Sequence, residues 1–261
     1  MRTALVTGAS SGIGRAIAGA LVARGYRVLG TTRDPSKAPA LDGVSWVALD
    51  LTSAESIAGC ARAAGEVDVL VNNAGESQVG PLEEVPIEEV RRHFELNVFG
   101  SVHLTQLLLP GMRARGSGRI VMIGSMQASF PMPYRSSYTA SKAAIKGFAM
   151  ALRGEVAPFG IGVSTVEPGA INTGISDRRT RFGGADSAYA ADYATVSRHL
   201  DANEAKGVTA ATVADVVMKA IEADKPKPLY AVGSNAPAVF ALRRLLPRTT
   251  VERIVQRRHG L

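Results

Sequence analysis

Cysteine is all but missing from this chain. Cys60 stands alone among 261 residues, so neither an intramolecular disulfide nor a cysteine zinc site can form. It lies in an Ala-rich helical stretch and reads as a small core residue. A lone thiol fits a reducing cytoplasm, the expected location. Long apolar runs are missing too, and none approaches the ~18 uncharged apolar residues of a membrane span. No signal-peptide pattern precedes the first strand-like run, which follows Met1-Arg2 directly. There is no internal repeat and no low-complexity linker. His93, His103, His199 and His259 lack metal-ligand spacing and read as solvated or core residues, so no metal is expected.

The composition that remains is that of a globular protein with a large core, 46% hydrophobic and 20% charged. A net charge of +7 raises the question of nucleic acid. The charge is uneven, however. Arg243, Arg244, Arg248, Arg253, Arg257 and Arg258 face only Glu252 in the last stretch, and the rest of the chain is near +2. No recognition motif or aromatic interleaving accompanies these arginines, so no nucleic-acid partner is expected.

Short β-rich runs alternate with longer helical patterns. Strands are expected over 3–7, 26–31, 44–49, 67–71, 119–123, 161–166 and 229–232. Between them, Ile13, Ile17, Ala20 and Leu21 repeat at helical spacing until Gly25. Thr52 and Glu55 form a capping box for the next helix. Further helices are expected over 86–109, closed by Pro110-Gly111, and over 136–157 and 209–223. Such alternation implies an α/β fold with a parallel sheet covered on both faces, in one domain spanning 1–261. The segment 171–206 is polar and weakly patterned, as expected of a lid or binding loop. Arg178, Arg179 and Arg181 within it read as solvated by default, with contact to an acidic substrate as the alternative. The tail, 236–261, reads as two short basic amphipathic helices parted by Pro247, the second capped by Thr249 to Glu252. It is expected to pack on the domain or on an oligomer partner rather than on a membrane.

The loop from Gly8 to Gly14 joins the first strand to the first helix. A helix start offers unpaired N–H groups and partial positive charge, so a phosphate is well placed there. Glycines let the backbone come close and take positive φ. The G-x-x-x-G-x-G spacing differs from the G-x-G-x-x-G fingerprint, and a purely structural turn explains three glycines equally well. Tyr138 and Lys142 lie four apart in a helical segment and so share one face. An ammonium beside a phenol favours the phenolate, which suits the phenol to general acid–base work. Spacing alone fits a surface pair as well. Ser125, thirteen residues upstream at a strand's C-terminal end, turns that face toward a ligand crevice. Its hydroxyl is suited to polarising a carbonyl.

Taken in order, these motifs resemble the classical short-chain dehydrogenase/reductase family. The match runs to about Val232. It comprises Thr7-Gly8-x-x-x-Gly12-x-Gly14, Asp50-Leu51, Asn72-Asn73-Ala74-Gly75, Asn97, Ser125, Tyr138-x-x-x-Lys142, and Pro168-Gly169 followed by Thr173. The resemblance implies a Rossmann-type, doubly wound, seven-stranded parallel sheet in three α/β/α layers. It implies a catalytic set of Asn97, Ser125, Tyr138 and Lys142, with Asn97 holding a water that links Lys142 to solvent. It implies a cofactor cradle of Gly8, Ser10, Ser11, Gly12, Ile13 and Gly14. Asp50 and Leu51 would lie at the adenine and Asn73, Ala74 and Gly75 along the adenosine side. Lys142 would lie at the nicotinamide ribose, with Tyr138 beside it, and Pro168, Gly169, Ile171 and Thr173 at the nicotinamide amide.

The expected activity is therefore hydride transfer between a nicotinamide and a small-molecule carbonyl or alcohol. NADP(H) is expected over NAD(H). NAD-specific folds place a carboxylate where the second strand ends, whereas here Thr32 and Arg33 stand there and can grip a 2′-phosphate. Asp34, followed by Pro35, is expected to start a turn. A homodimer or homotetramer through the two long helices follows from the resemblance. The alternative is a non-catalytic NADP sensor on the same fold. A sensor has no use for Tyr138, Lys142, Ser125 and Asn97 together.

Overall fold

The computed structural model describes residues 1–174 and 178–261. In chain order the strands are β1 (Thr3–Val6), β2 (Arg27–Thr32), β3 (Val44–Ala48), β4 (Val69–Asn72), β5 (Gln78–Val79) and β6 (Gly118–Ile123). They continue with β7 (Ile161–Pro168), β8 (Ile171–Asn172), β9 (Thr180–Arg181), β10 (Val208–Thr209) and β11 (Leu229–Val232). The helices are α1 (Gly12–Val22), α2 (Ala54–Ala64), α3 (Ile87–Phe94), α4 (Gly100–Arg115) and α5 (Ser136–Val156). After them come α6 (Ala190–Ala205), α7 (Ala210–Glu222), α8 (Ala236–Leu245) and α9 (Arg248–Arg258).

Seven strands form one sheet in the order β11-β7-β6-β4-β1-β2-β3, with every pairing parallel. Alternate residues of each strand feed opposite apolar layers. Ala4, Val6, Val69, Val71, Val121 and Ile123 meet Ile17, Leu21, Val217 and Ile221 of α1 and α7. Leu5, Leu70, Ile120 and Met122 meet Leu104, Leu108, Met112 and Ile145 of α4 and α5. Burial on both faces explains why the strands read as near-continuous apolar runs. Each fully buried Leu or Ile contributes about 1.5–3 kcal/mol. The strand order reverses between β1 and β4, which opens a crevice at the strands' C-terminal ends.

Four expectations need correction. The helix expected over 86–109 is three pieces, α3, one π turn (Glu95–Phe99) and α4. Pro110 does not end it. The helix absorbs the proline because Leu108 and Met112 are held on the sheet, and it stops only at left-handed Gly116. The cap of α2 is Ser53, whose side chain accepts from the Ser56 N–H, rather than Thr52; Thr52 is held by Asp50. The segment 171–206 is not one irregular loop, since 16 of its residues form α6, anchored by buried Val196 and Leu200. Finally, α9 begins at Arg248, directly after Pro247, with no side-chain cap. No helix among the described residues is long and apolar enough to cross a membrane.

Candidate active site

The glycine loop is tied to the sheet by its first residue. Thr7 Oγ1 accepts from the N–H groups of Asn73 and Ala74, both at 2.9 Å, and Asn73 Nδ2 donates to Thr7 O at 2.9 Å. Gly8 and Gly12 sit at φ +65° and +52°, where glycine alone is unstrained. A Cβ on Gly12 would meet no atom nearer than 3.6 Å and would stand over the mouth of the loop. Gly14 does different work. A Cβ there would fall 2.2 Å from Gly8 O, and Gly14 does not border the cleft. Gly14 therefore packs against the loop backbone, with no room for a side chain. Ser11 leaves α1 without a side-chain cap, and its Oγ accepts from Arg178 instead, at 2.7 Å. No acidic residue occupies the first turn of α1, so its free N–H groups face the cleft unopposed.

That cleft, of about 460 Å³, runs across the C-terminal ends of β1, β2, β4 and β6. Ser10, Ser11, Gly12 and Ile13 border it beside Gly8, and Thr32, Arg33, Asp50 and Leu51 close its far end. Asn73, Ala74 and Gly75 form one wall; Pro168, Gly169, Ile171 and Thr173 form the other. Asp34 turns away as expected. Its carboxylate caps the short turn Pro35–Lys37 through the Ser36 N–H and pairs with Lys37 at 3.2 Å. Asp50 is also a turn residue, and its carboxyl is lowered by the hydrogen bond from the Thr52 N–H.

Ser125, Tyr138 and Lys142 meet at the other end. Ser125 caps the turn Met126–Ala128, its Oγ accepting from the Gln127 N–H at 3.2 Å. Lys142 is buried, its Nζ donating to Ile123 O at 3.0 Å and lying 5.9 Å from the Tyr138 ring centre. Asn97 is brought close to this group but not into the cleft. The π turn swings it inward, where Oδ1 accepts from the Glu76 N–H at 2.8 Å and Nδ2 donates to Glu76 O at 3.0 Å. Gly75 is squeezed between them, since a Cβ there would lie 3.0 Å from Asn97 Oδ1 and 3.6 Å from Lys142 Nζ.

Several residues here escaped the sequence. His93 is fully buried, with Nε2 2.9 Å from Asn97 Nδ2 and Nδ1 3.2 Å from Glu76 Oε1. Asn97 Nδ2 only donates, so Nε2 must accept and the proton sits on Nδ1, facing the carboxylate. Burial lowers the His93 pKa, with Lys142 and Arg135 adding to the effect against Glu76. Burial raises the Glu76 carboxyl, but hydrogen bonds from His93 and Arg92 outweigh it and the net shift is downward. Arg179, expected to be solvated, is buried and paired with Asp201 at 2.8 Å and with Glu204. The signal for its partners was only that α6 carries acids; the pairing belongs to the fold.

A second cavity, of about 200 Å³, adjoins the first through Ser125 and Gly169. Met126, Phe130, Met132 and Leu200 line one side, and Val239, Leu242, Val251 and Val255 of α8 and α9 line the other. Arg243 and Arg258 are the cations on its border.

A doubly wound parallel sheet with a glycine loop at its switch point defines a Rossmann-type nucleotide-binding class. Residues 2–182 match the family described as short chain dehydrogenase. The chain is 34% identical to the NADPH-dependent 3-dehydrocapnine reductase of Ornithobacterium rhinotracheale, over 97% of this chain and 96% of that one. A solved short-chain dehydrogenase from Streptomyces avermitilis shares the fold at TM-score 0.81 and 37% identity, covering 97% of this chain and 96% of that one. Another, from Burkholderia cenocepacia and in complex with NADP, has TM-score 0.77 and 26% identity, covering 98% and 99%. The chain belongs to the short-chain dehydrogenase/reductase family. It is a dehydrogenase/reductase enzyme, and the alternative of a non-catalytic sensor falls away.

Proposed function

We propose that the enzyme interconverts an apolar carbonyl compound and its alcohol, using NADP(H) in preference to NAD(H). The observation that carries this is two adjoining spaces that share Ser125 and Gly169 in their walls. Phosphate-binding features lie at one end of the cleft, Ser125, Tyr138 and Lys142 at the other, and an apolar cavity opens beyond Ser125.

The cleft fits a dinucleotide chemically. Free N–H groups of α1, positive-φ glycines and Arg178 suit a pyrophosphate. Thr32 and Arg33 suit a 2′-phosphate, with Asp34 withdrawn into its own turn. Asp50 and Leu51 would border the adenine, Asn73, Ala74 and Gly75 the adenosine side, and Lys142 the nicotinamide ribose. Pro168, Gly169, Ile171 and Thr173 would hold the amide end. The bound cofactor supplies or accepts the hydride. Ser125 then donates a hydrogen bond to the substrate oxygen and polarises it. Tyr138 gives that oxygen its proton in reduction and takes it back in oxidation. Lys142, buried against Ile123 O, keeps positive charge near the phenol. Asn97 clamps the chain beyond Gly75 and so fixes the wall on which Lys142 rests.

The same reading includes a homo-oligomer. Exposed Leu107 on α4 and exposed Phe148 and Met150 on α5 support association through those helices.

A ketone and aldehyde panel, graded from small and polar to bulky and apolar, tests the proposal with NADPH and NADH in parallel. Turnover with NADPH, rising with apolar size, is expected. Exclusive use of NADH, or no turnover of any carbonyl or alcohol, would refute it.

A further inference from the structure

Arg135 immediately precedes α5 and is 3% exposed. Its acceptors are neutral. Nη1 donates to Ser77 Oγ at 2.7 Å and Nε to Gln127 Oε1 at 3.2 Å. Among the described residues no carboxylate stands within ion-pair distance of it, whereas buried Arg179 nearby has Asp201 and Glu204. A buried cation without an ion-pair partner is costly, so its retention calls for a compensating gain. The guanidinium lies over the face of the Tyr138 ring, Cζ 4.1 Å from its centre.

We propose that Arg135 is an electrostatic positioning residue that acts through Tyr138, its counter-charge being the tyrosinate that forms during turnover. In reduction the Tyr138 O–H bond breaks and the proton bonds to the substrate oxygen. The hydride and its electron pair come from NADPH to the carbonyl carbon, and the phenolate is left between two cations. Lys142 serves from the same helix, 5.9 Å from the ring centre, and Arg135 from the helix start. Burial pushes the Arg135 pKa down to about 10, with Tyr138 the largest influence opposing that fall, which agrees with a cation short of partners. The other titratable group facing the ring is His93 of α3, at 6.2 Å between ring centres, backed by Glu76. Arg179, which shares Ser77 Oγ with Arg135, and Arg181 both oppose the charge of Arg135, while the Glu204 carboxylate, paired with Arg179, favours it. The inference rests on Tyr138 being the acid–base of the proposed reaction.

The test is the pH profile of kcat/KM for NADP-dependent alcohol oxidation, where Tyr138 must be ionised, for wild type, Arg135→Gln, Arg135→Met and Arg135→Lys. The Tyr138-dependent limb is expected to move up by about one to two pH units in the Gln and Met variants and far less in the Lys variant. At a fixed pH below the limb, that is about a tenfold to hundredfold loss. The cofactor Kd stays unchanged, and Tm in the Met variant stays level or rises, because an unpaired buried charge is gone. Superimposed profiles, or equal shifts in all three variants, would overturn the proposal. So would a Met variant that fails to fold, since Arg135 would then be a structural anchor. Tyr138→Phe, measured alongside, separates the two levels. If it retains turnover, the acid–base assignment falls with the inference. If it is inactive while the Arg135 variants match wild type, only the inference falls.

Discussion

At the scale of single residues, the arrangement at the end of β2 is the sharpest test of cofactor choice. Arg33 is exposed at the cleft's far end while Asp34 is bound into its own turn. A charge-assisted phosphate contact contributes about 1.5–3 kcal/mol. Arg33→Ala should weaken NADPH about tenfold to a hundredfold in kcat/KM and leave NADH nearly unchanged; equal losses would remove the 2′-phosphate role. His93 gives a second prediction. Its pKa lies below its unfolded value near 6.5, so below that pH the unfolded chain binds the proton more readily and stability falls as pH drops. His93→Gln should flatten that slope, which is at most about 1.4 kcal/mol per pH unit. Denaturant melts over the mildly acidic range measure it, and an unaltered slope would contradict the buried, neutral imidazole. That Tyr138, Lys142, Ser125 and Arg33 line one cleft was legible, because that placement needs only local spacing and order along the chain. The surroundings of Arg135 and His93 were not, because Ser77 lies 58 residues from Arg135, and Glu76 and Ser141 lie 17 and 48 residues from His93.

Among elements, the seven strands of the main sheet were read to within a residue or two, since burial on both faces leaves unbroken apolar runs between turn residues; the two-residue strands β5, β8, β9 and β10 were not. The helix errors share one physical cause, tertiary contact overriding local punctuation. Pro110 lies inside α4 because neighbours on the sheet outweigh about 3 kcal/mol of proline penalty. The π turn at Asn97 has no sequence signature, because it is fixed by side-chain bonds to the backbone of Glu76, on a separate stretch of chain. The loop before α1 shows the same dependence. Gly14→Ala should drive a Cβ into Gly8 O, costing about 1–3 kcal/mol of overpacking. Thermal melts should then fall by about 3–10 °C, with NADPH affinity reduced as the loop shifts. Gly19→Ala, in the middle of the same helix with nothing within 4 Å, should instead stabilise by about 0.5–1 kcal/mol. A Gly14 variant as stable as the Gly19 variant would refute the close packing.

For the whole molecule, the sheet order and the shared cleft follow from right-handed βαβ crossovers, which alternating elements announce in sequence. The apolar cavity beyond Ser125 was not legible, because it forms where Met126, Phe130, α6, α8 and α9 converge from distant stretches of chain. All of these parts serve one claim, that Tyr138 delivers the proton in a nicotinamide-dependent carbonyl reduction. Tyr138→Phe tests it most directly, by NADPH consumption with an apolar ketone together with calorimetric titration of NADPH. The ring still packs against Arg135 and Lys142, so folding and cofactor affinity should match wild type while kcat falls by about a hundredfold or more. A folded, NADPH-binding variant that keeps more than about a tenth of wild-type kcat would contradict the account.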